Sequence, residues 1–160
     1  MDSVDSILAQ WGQERPDLDI RAMGPLGRLG RLHGHLMRAM EKTFAAHGLN
    51  QAGFDVLATL RRSGPPFRLS PGALLSSMMI TSGTLTHRLD LLEAAGLITR
   101  TANPEDRRGA LVALTSAGCA KIDAAIADHV ATQNRLLTAL SANEIQELDR
   151  LLHTWLAGFE

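Results

Sequence analysis

A mainly helical chain with one small β-hairpin, an α+β protein, is what the 160-residue sequence predicts. Three observations predict it. Apolar residues recur at three- and four-residue steps through most of the chain, caps and breakers mark a pair of short helices over 70–96, and two short β-prone runs follow directly. With 45% hydrophobic and 21% charged residues and no low-complexity stretch, the composition is that of a folded protein. The length suits a single domain over 1–160 and excludes a two-domain enzyme of ordinary size. No apolar run approaches the roughly 20 residues of a membrane span, and residues 1–10 lack the basic start and apolar stretch of a signal peptide. The expected location is the cytoplasm, with no membrane partner.

Val4, Ile7, Leu8 and Trp11 fall at i, i+3, i+4 and i+7, so a short amphipathic helix opens the chain before the breaker-rich stretch 12–16. Pro25 begins a longer helix in which Leu29, Leu32, Leu36, Met40 and Phe44 recur, stopping at Gly48. Residues 51–62 make a third, ended by Ser63-Gly64-Pro65-Pro66. Ser70 and Pro71 are an N-cap followed by proline at the first helical position, which predicts a helix over 71–78. Thr81 caps another over 82–95, closed by Gly96. Runs 97–102 and 110–114 are β-prone and flank the turn-rich loop Asn103-Pro104-Glu105-Asp106-Arg107-Arg108-Gly109. A long helix over 115–140 follows, and Ser141 with Glu144 is a capping box for the last one.

Two helices joined by a tight turn and followed by a basic-tipped hairpin form a winged helix-turn-helix, and the chemistry suits duplex DNA. On the second helix Leu85, Leu89 and Leu92 share one face, with Gly83, Thr86, His87 and Asp90 opposite and Thr84 at the flank. Small polar groups at the start of that face fit the edges of bases in a major groove. Arg107 or Arg108 would enter the adjacent minor groove, oriented by Asp106. The whole chain carries a net charge of −1. Residues 50–108 nevertheless set Arg61, Arg62, Arg68, Arg88, Arg100, Arg107 and Arg108 against Asp55, Asp90, Glu93, Glu105 and Asp106, so phosphate contacts belong to the middle of the chain.

Other chemistries find little support. There is no Gly-x-Ser-x-Gly, Walker-type or His-Glu-x-x-His pattern, so neither an enzyme nor a cofactor is expected. The histidines are dispersed, and His33 and His35, two apart on a helix, diverge, which argues against a metal site. Cys119, the single cysteine, forms no internal disulfide and reads as inert packing on an alanine-rich helix.

The run from Thr81 to Arg100, then Asp106-Arg107-Arg108, then Leu114-Thr115-Ser116-Ala117-Gly118, resembles the multiple antibiotic resistance regulator (MarR) family over about residues 25–160. The resemblance implies a homodimer that binds a palindromic operator in double-stranded DNA and regulates nearby genes, in the first instance as a repressor. It implies dimerisation helices within 1–48 and 115–160 and a DNA-binding lobe over 50–114. The apolar stripe of Ile145, Leu148, Leu151, Leu152, Trp155 and Phe159 near the chain end points to a partner subunit independently. Carried onto this chain, Ser82, Thr84, Thr86 and His87 would be groove contacts and Arg107 and Arg108 wing contacts, with the minor-groove arginine either of the two.

Within the family, a branch that answers to urate or similar purines has an added N-terminal helix with a tryptophan, an aspartate in the helix before the DNA-binding pair, and arginines on and just after the recognition helix. Trp11, Asp55, Arg88 and Arg100 stand in those places, implying a ligand site for a small aromatic anion. Two guanidiniums would hold the anion, the carboxylate would accept a ring N–H, and the indole would stack or bond at its edge. Arg88 falls about 60° from the apolar centre of its helix, on the core side. Asp55 falls opposite Phe54, Leu57 and Leu60, where a solvated or ion-paired acid also fits. An unrelated effector, thiol-based sensing through Cys119, or an interaction module that binds no DNA are the alternatives the residues leave open.

Overall fold

The structure, a computed structural model, describes residues 1–78, 82–103 and 110–160, the first three residues of the middle stretch by their backbone alone. In chain order the elements are α1 (Ser3–Glu14), α2 (Met23–Ala46), α3 (Gln51–Arg62), β1 (Arg68–Leu69), α4 (Pro71–Met78), α5 (Ser82–Ala94), β2 (Ile98–Ala102), β3 (Ala110–Leu114), α6 (Ser116–Leu136) and α7 (Ala142–Leu156). Internal contacts divide the chain into two units, Met1–Met40 and Glu41–Glu160.

Side-chain caps set where the helices begin. The Asp2 carboxylate accepts from the N–H groups of Val4 and Asp5 while Asp5 reaches back, a capping box at the start of α1. Asn50 accepts from Gly53 N–H at α3, Thr115 from Gly118 N–H at α6, and Ser141 and Glu144 form the expected box at α7. Each cap satisfies an otherwise orphaned donor and contributes about 1 kcal/mol. Gly48 and Gly96, at φ +66° and +69°, turn the chain out of α2 and α5 in the left-handed conformation that only glycine adopts freely. The sixth helix stops at Leu136, short of the expected residue 140. There the N–H groups of Leu137, Thr138 and Leu140 bond to carbonyls three residues back, and the Thr138 hydroxyl donates to the Arg135 carbonyl at 2.9 Å. A tighter turn therefore replaces the α-helical ladder.

In the first unit, α1 is tied to the start of α2. Val4 is buried, and a Cβ on Gly27 would lie 3.4 Å from its methyl carbon. Arg28 donates to Asp2 at 2.8 Å and also bonds Asp5. Trp11 stays 42% exposed.

In the second unit Leu57, Leu60, Leu74, Leu85, Ile98 and Ile122 form the fully buried centre. The sheet has three strands in the order β1-β3-β2, all antiparallel, with Arg100 opposite Val112. The expected hairpin is β2–β3; the added strand β1 pairs Arg68 and Leu69 with Ala113 and Val112. Where α6 begins, the chain is pressed onto the end of α5. Thr115 donates its hydroxyl to the Gly96 carbonyl at 2.8 Å and its N–H to the Leu97 carbonyl at 3.1 Å. A Cβ on Gly118 would stand 2.0 Å from that Leu97 oxygen, so only glycine fits. Helix α7 has no buried residue, and Leu151, Trp155 and Phe159 are exposed along it and just beyond. Among the described residues no helix is long and apolar enough to cross a membrane.

Candidate nucleic-acid interface and the two flanks of its helix

Helix α5 turns Leu85, Leu89 and Leu92 inward, each at most 5% exposed, and leaves Thr86, His87 and Asp90 outside. This is the division that the 3.6-residue period predicts. Ser82 and Thr84 lie in its first turn, with side chains outside the description; Thr81, Asp106, Arg107 and Arg108 lie outside the described residues. The preceding helix is held from α3, where Arg62 donates to the Ser77 carbonyl at 2.9 Å. That carbonyl belongs to the last turn of α4, and among the described residues it has no intrahelical donor.

One flank of α5 is bound to the sheet by Arg100. Its Nη2 donates to Asp90 Oδ1 at 2.6 Å and to the Thr86 carbonyl at 3.5 Å, and its Nη1 lies 3.6 Å from Glu93 Oε2. The main-chain N–H of Arg100 donates to Glu93 Oε1 at 3.0 Å.

The opposite flank holds Arg88. At 100° per residue, Thr86, Asp90 and Glu93 lie roughly 140–200° round the helix from it. Arg88 is partly buried, and its Nη1 is fully buried with no hydrogen-bond partner among the described residues. It lines a cavity of about 650 Å³ together with Glu41, Asn50, Ala52, Asp55 and Met78. A second cavity of about 600 Å³ meets Arg88 from the side of His87, Leu91 and the turn at Gly48 and Leu49. Asp55 is half-buried, and of the solvated or ion-paired acid that its helix position suggested, the charges of Arg88 and His129 beside it favour the second. Burial pushes its carboxyl above the ordinary carboxylate range, and the charges of Arg88 and His129 oppose that rise. Burial lowers the His129 imidazole, against the pull of Asp55. The imidazole stacks on Phe44 at 5.4 Å and tilts on Phe54 at 4.9 Å, and its Nδ1 is buried without a partner among the described residues.

Of the four ligand residues expected from sequence, the structure therefore brings Asp55 and Arg88 together and sets Arg100 across the helix on protein acids. Trp11 belongs to the first unit. His129 escaped the sequence reading because no spacing marks it; only its packing against two phenylalanines from other helices does. Among the described residues no cluster of histidine, cysteine and acids is arranged to hold a metal ion.

The MarR family model matches residues 49–109, the stretch that runs from the start of α3 through the helix pair and β2 and stops just before β3. Over 149 residues the chain is 40% identical to the HTH-type transcriptional regulator PecS of Dickeya dadantii (strain 3937), an alignment covering 93% of this chain and 90% of that one. The chain belongs to the MarR family. It is also 30% identical over 132 residues to the multiple antibiotic resistance protein MarR of Escherichia coli (strain K12), covering 80% of this chain and 88% of that one. Among solved structures, a mutant E. coli MarR in complex with operator DNA matches with a TM-score of 0.73 at 29% identity, over 86% of this chain and 97% of that chain. AbsC from Streptomyces coelicolor, at 24% identity and a TM-score of 0.77, shares the fold over 89% of this chain and 95% of its own. As a MarR-family member the chain is a winged helix-turn-helix, DNA-binding transcriptional regulator and not an enzyme.

Proposed function

We propose that this MarR-family regulator works as a homodimer that represses transcription by holding palindromic duplex DNA, and that a small aromatic anion of the urate class releases it. Helix α5 would lie in the major groove with Ser82, Thr84, Thr86 and His87 towards base edges. The hairpin would carry Arg107 or Arg108 to the neighbouring minor groove. The dimer would be built from helices within 1–48 and 115–160, leaving 50–114 to read DNA. The bare apolar face of α7 supports this, because a stripe that its own chain leaves in water is the kind of surface a second copy covers.

One observation carries the effector reading: a guanidinium whose buried Nη1 has no partner among the described residues shares a cavity with a half-buried carboxylate on one flank of the groove-reading helix. An oxidised purine anion would accept from Arg88 through its oxygens and donate a ring N–H to Asp55. A ligand that seats better with α5 displaced shifts the population towards a state that no longer matches the groove. The proposed contacts lie wholly in the second unit. Arg100 would join them only by leaving Asp90 and Glu93.

A gel-shift titration tests this, using DNA from upstream of the chain's own coding sequence with urate and xanthine as ligands. Wild type should shift the fragment and be released by the purine, and urate should bind the DNA complex more weakly than the free protein. Arg88→Ala should shift the same fragment and resist release. A wild-type complex indifferent to both purines would overturn the effector reading.

A further inference from the structure

Arg100 stands in the middle of β2, an edge strand of the sheet, and among the described residues its bonds beyond the sheet go to α5. Its acceptors are the Thr86 carbonyl and the carboxylates of Asp90 and Glu93. These positions stand one above another along a single flank, spanning about 10 Å of helix. A single contact to α5 would fix the distance of β2 from the helix but not its angle. Contacts on successive turns, with one of them to the main chain of β2, fix the angle as well.

We propose that Arg100, Asp90 and Glu93 form a clasp that sets the angle between the groove-reading helix and the wing. Arg100 is then a positioning residue for DNA binding and not a phosphate contact. The proposal rests on the reading of α5 as the groove helix and of the β2–β3 hairpin as the wing. Two features favour it over direct phosphate binding. The guanidinium is already engaged by two acids and a carbonyl, with 30% of the side chain exposed, so a phosphate would have to displace protein oxygens. Asp90 and Glu93 would repel a DNA backbone if left bare, and a cation placed between them neutralises that charge within the protein. Exposed ion pairs add little to folding stability. Here the effect is on geometry, because the loop that bears Arg107 and Arg108 is joined to α5 through β2.

Fluorescence anisotropy with operator DNA separates the two roles, using Asp90→Asn with Glu93→Gln, Arg100→Met, Arg107→Ala with Arg108→Ala, and the clasp changes placed in the last background. Asp90 and Glu93 are 55% and 40% exposed, so their amides keep the fold, which circular dichroism verifies. The amide pair removes two negative charges beside the DNA and on charge alone should tighten binding. A clasp predicts instead that it weakens binding about tenfold, as Arg100→Met does, and that either change adds little once the wing arginines are gone. If the amide pair binds as tightly as wild type or tighter, or if its loss adds in full to that of the wing arginines, the clasp is overturned and Arg100 is an independent contact. If the wing arginines themselves prove dispensable, the wing reading falls and takes the clasp with it.

Discussion

Two arginines flank α5, and they are in opposite conditions. Arg100 is engaged by Asp90, Glu93 and the Thr86 carbonyl. Arg88 keeps a buried Nη1 with no partner among the described residues, beside a carboxylate whose charge burial opposes. The side chains are chemically identical, so the difference comes from the side of the helix each one reaches. A buried donor left unmade costs about 1–3 kcal/mol, more when it is charged, and such a cost is tolerated where an arriving molecule can relieve it. A donor already satisfied fixes geometry. On the proposed reading, Arg88 meets a ligand that comes and goes, whereas Arg100 holds a contact that must stay.

The largest effect should come from a change that ruins both flanks together. Gly118→Ala drives a Cβ into the Leu97 carbonyl, where neither backbone can yield, and should cost about 3 kcal/mol in a denaturant melt. A variant within 1 kcal/mol of wild type, on the order of an ordinary surface change, would mean that the junction of α5 and β2 is pliant and the flanks are not held in common. Next in size, Arg88→Ala should weaken the purine about a hundredfold by calorimetry while ligand-free DNA binding survives. Equal losses from Arg88→Ala and Arg100→Met would erase the contrast.

Asp55 offers a smaller, pH-dependent test. Because its carboxyl is raised by burial, its contribution to stability is complete below the ordinary value of 3.8 and is lost as pH rises through the raised one. Asp55→Asn removes that loss. The variant should melt above wild type at neutral pH, and the two curves should converge in acid; a variant melting lower at neutral pH would show that the Arg88 charge outweighs burial. The smallest effect is expected from the clasp. Asp90→Asn with Glu93→Gln should change folding stability by less than about 1 kcal/mol, since the groups are half-exposed, whatever it does to DNA affinity.

Most of the fold was legible because its signals are local. The start of α3 after Asn50, of α4 at Ser70-Pro71 and of α7 at Ser141 each depend on a cap within three residues of its partner. Leu85, Leu89 and Leu92 are buried as a 3.6-residue period demands. Strand β1 was missed because two residues carry no period, and pairing with β3 alone makes them a strand. The end of α6 was placed too late because the apolar pattern continues through Leu136, Leu137 and Leu140 while the Thr138 hydroxyl breaks the ladder. For the site, the core-side position of Arg88 could be read from one helix. The burial of Asp55 could not, since it depends on what another helix lays over it. Nor could the fate of Arg100, whose acceptors are ten and seven residues away in sequence and are chosen by how β2 runs back along α5.

If a second copy covers α7, dilution would uncover it. An isolated helix of 15 residues is marginal in water because its nucleus is costly to form, and no side chain of α7 is buried in its own chain. Where a second copy covers that face, the chain enters its own folding equilibrium as a reactant, and the melting midpoint climbs with protein concentration. Operator occupancy would then rise more steeply than in proportion to the amount of chain the cell makes. A fall in synthesis would then lower operator occupancy with no effector present.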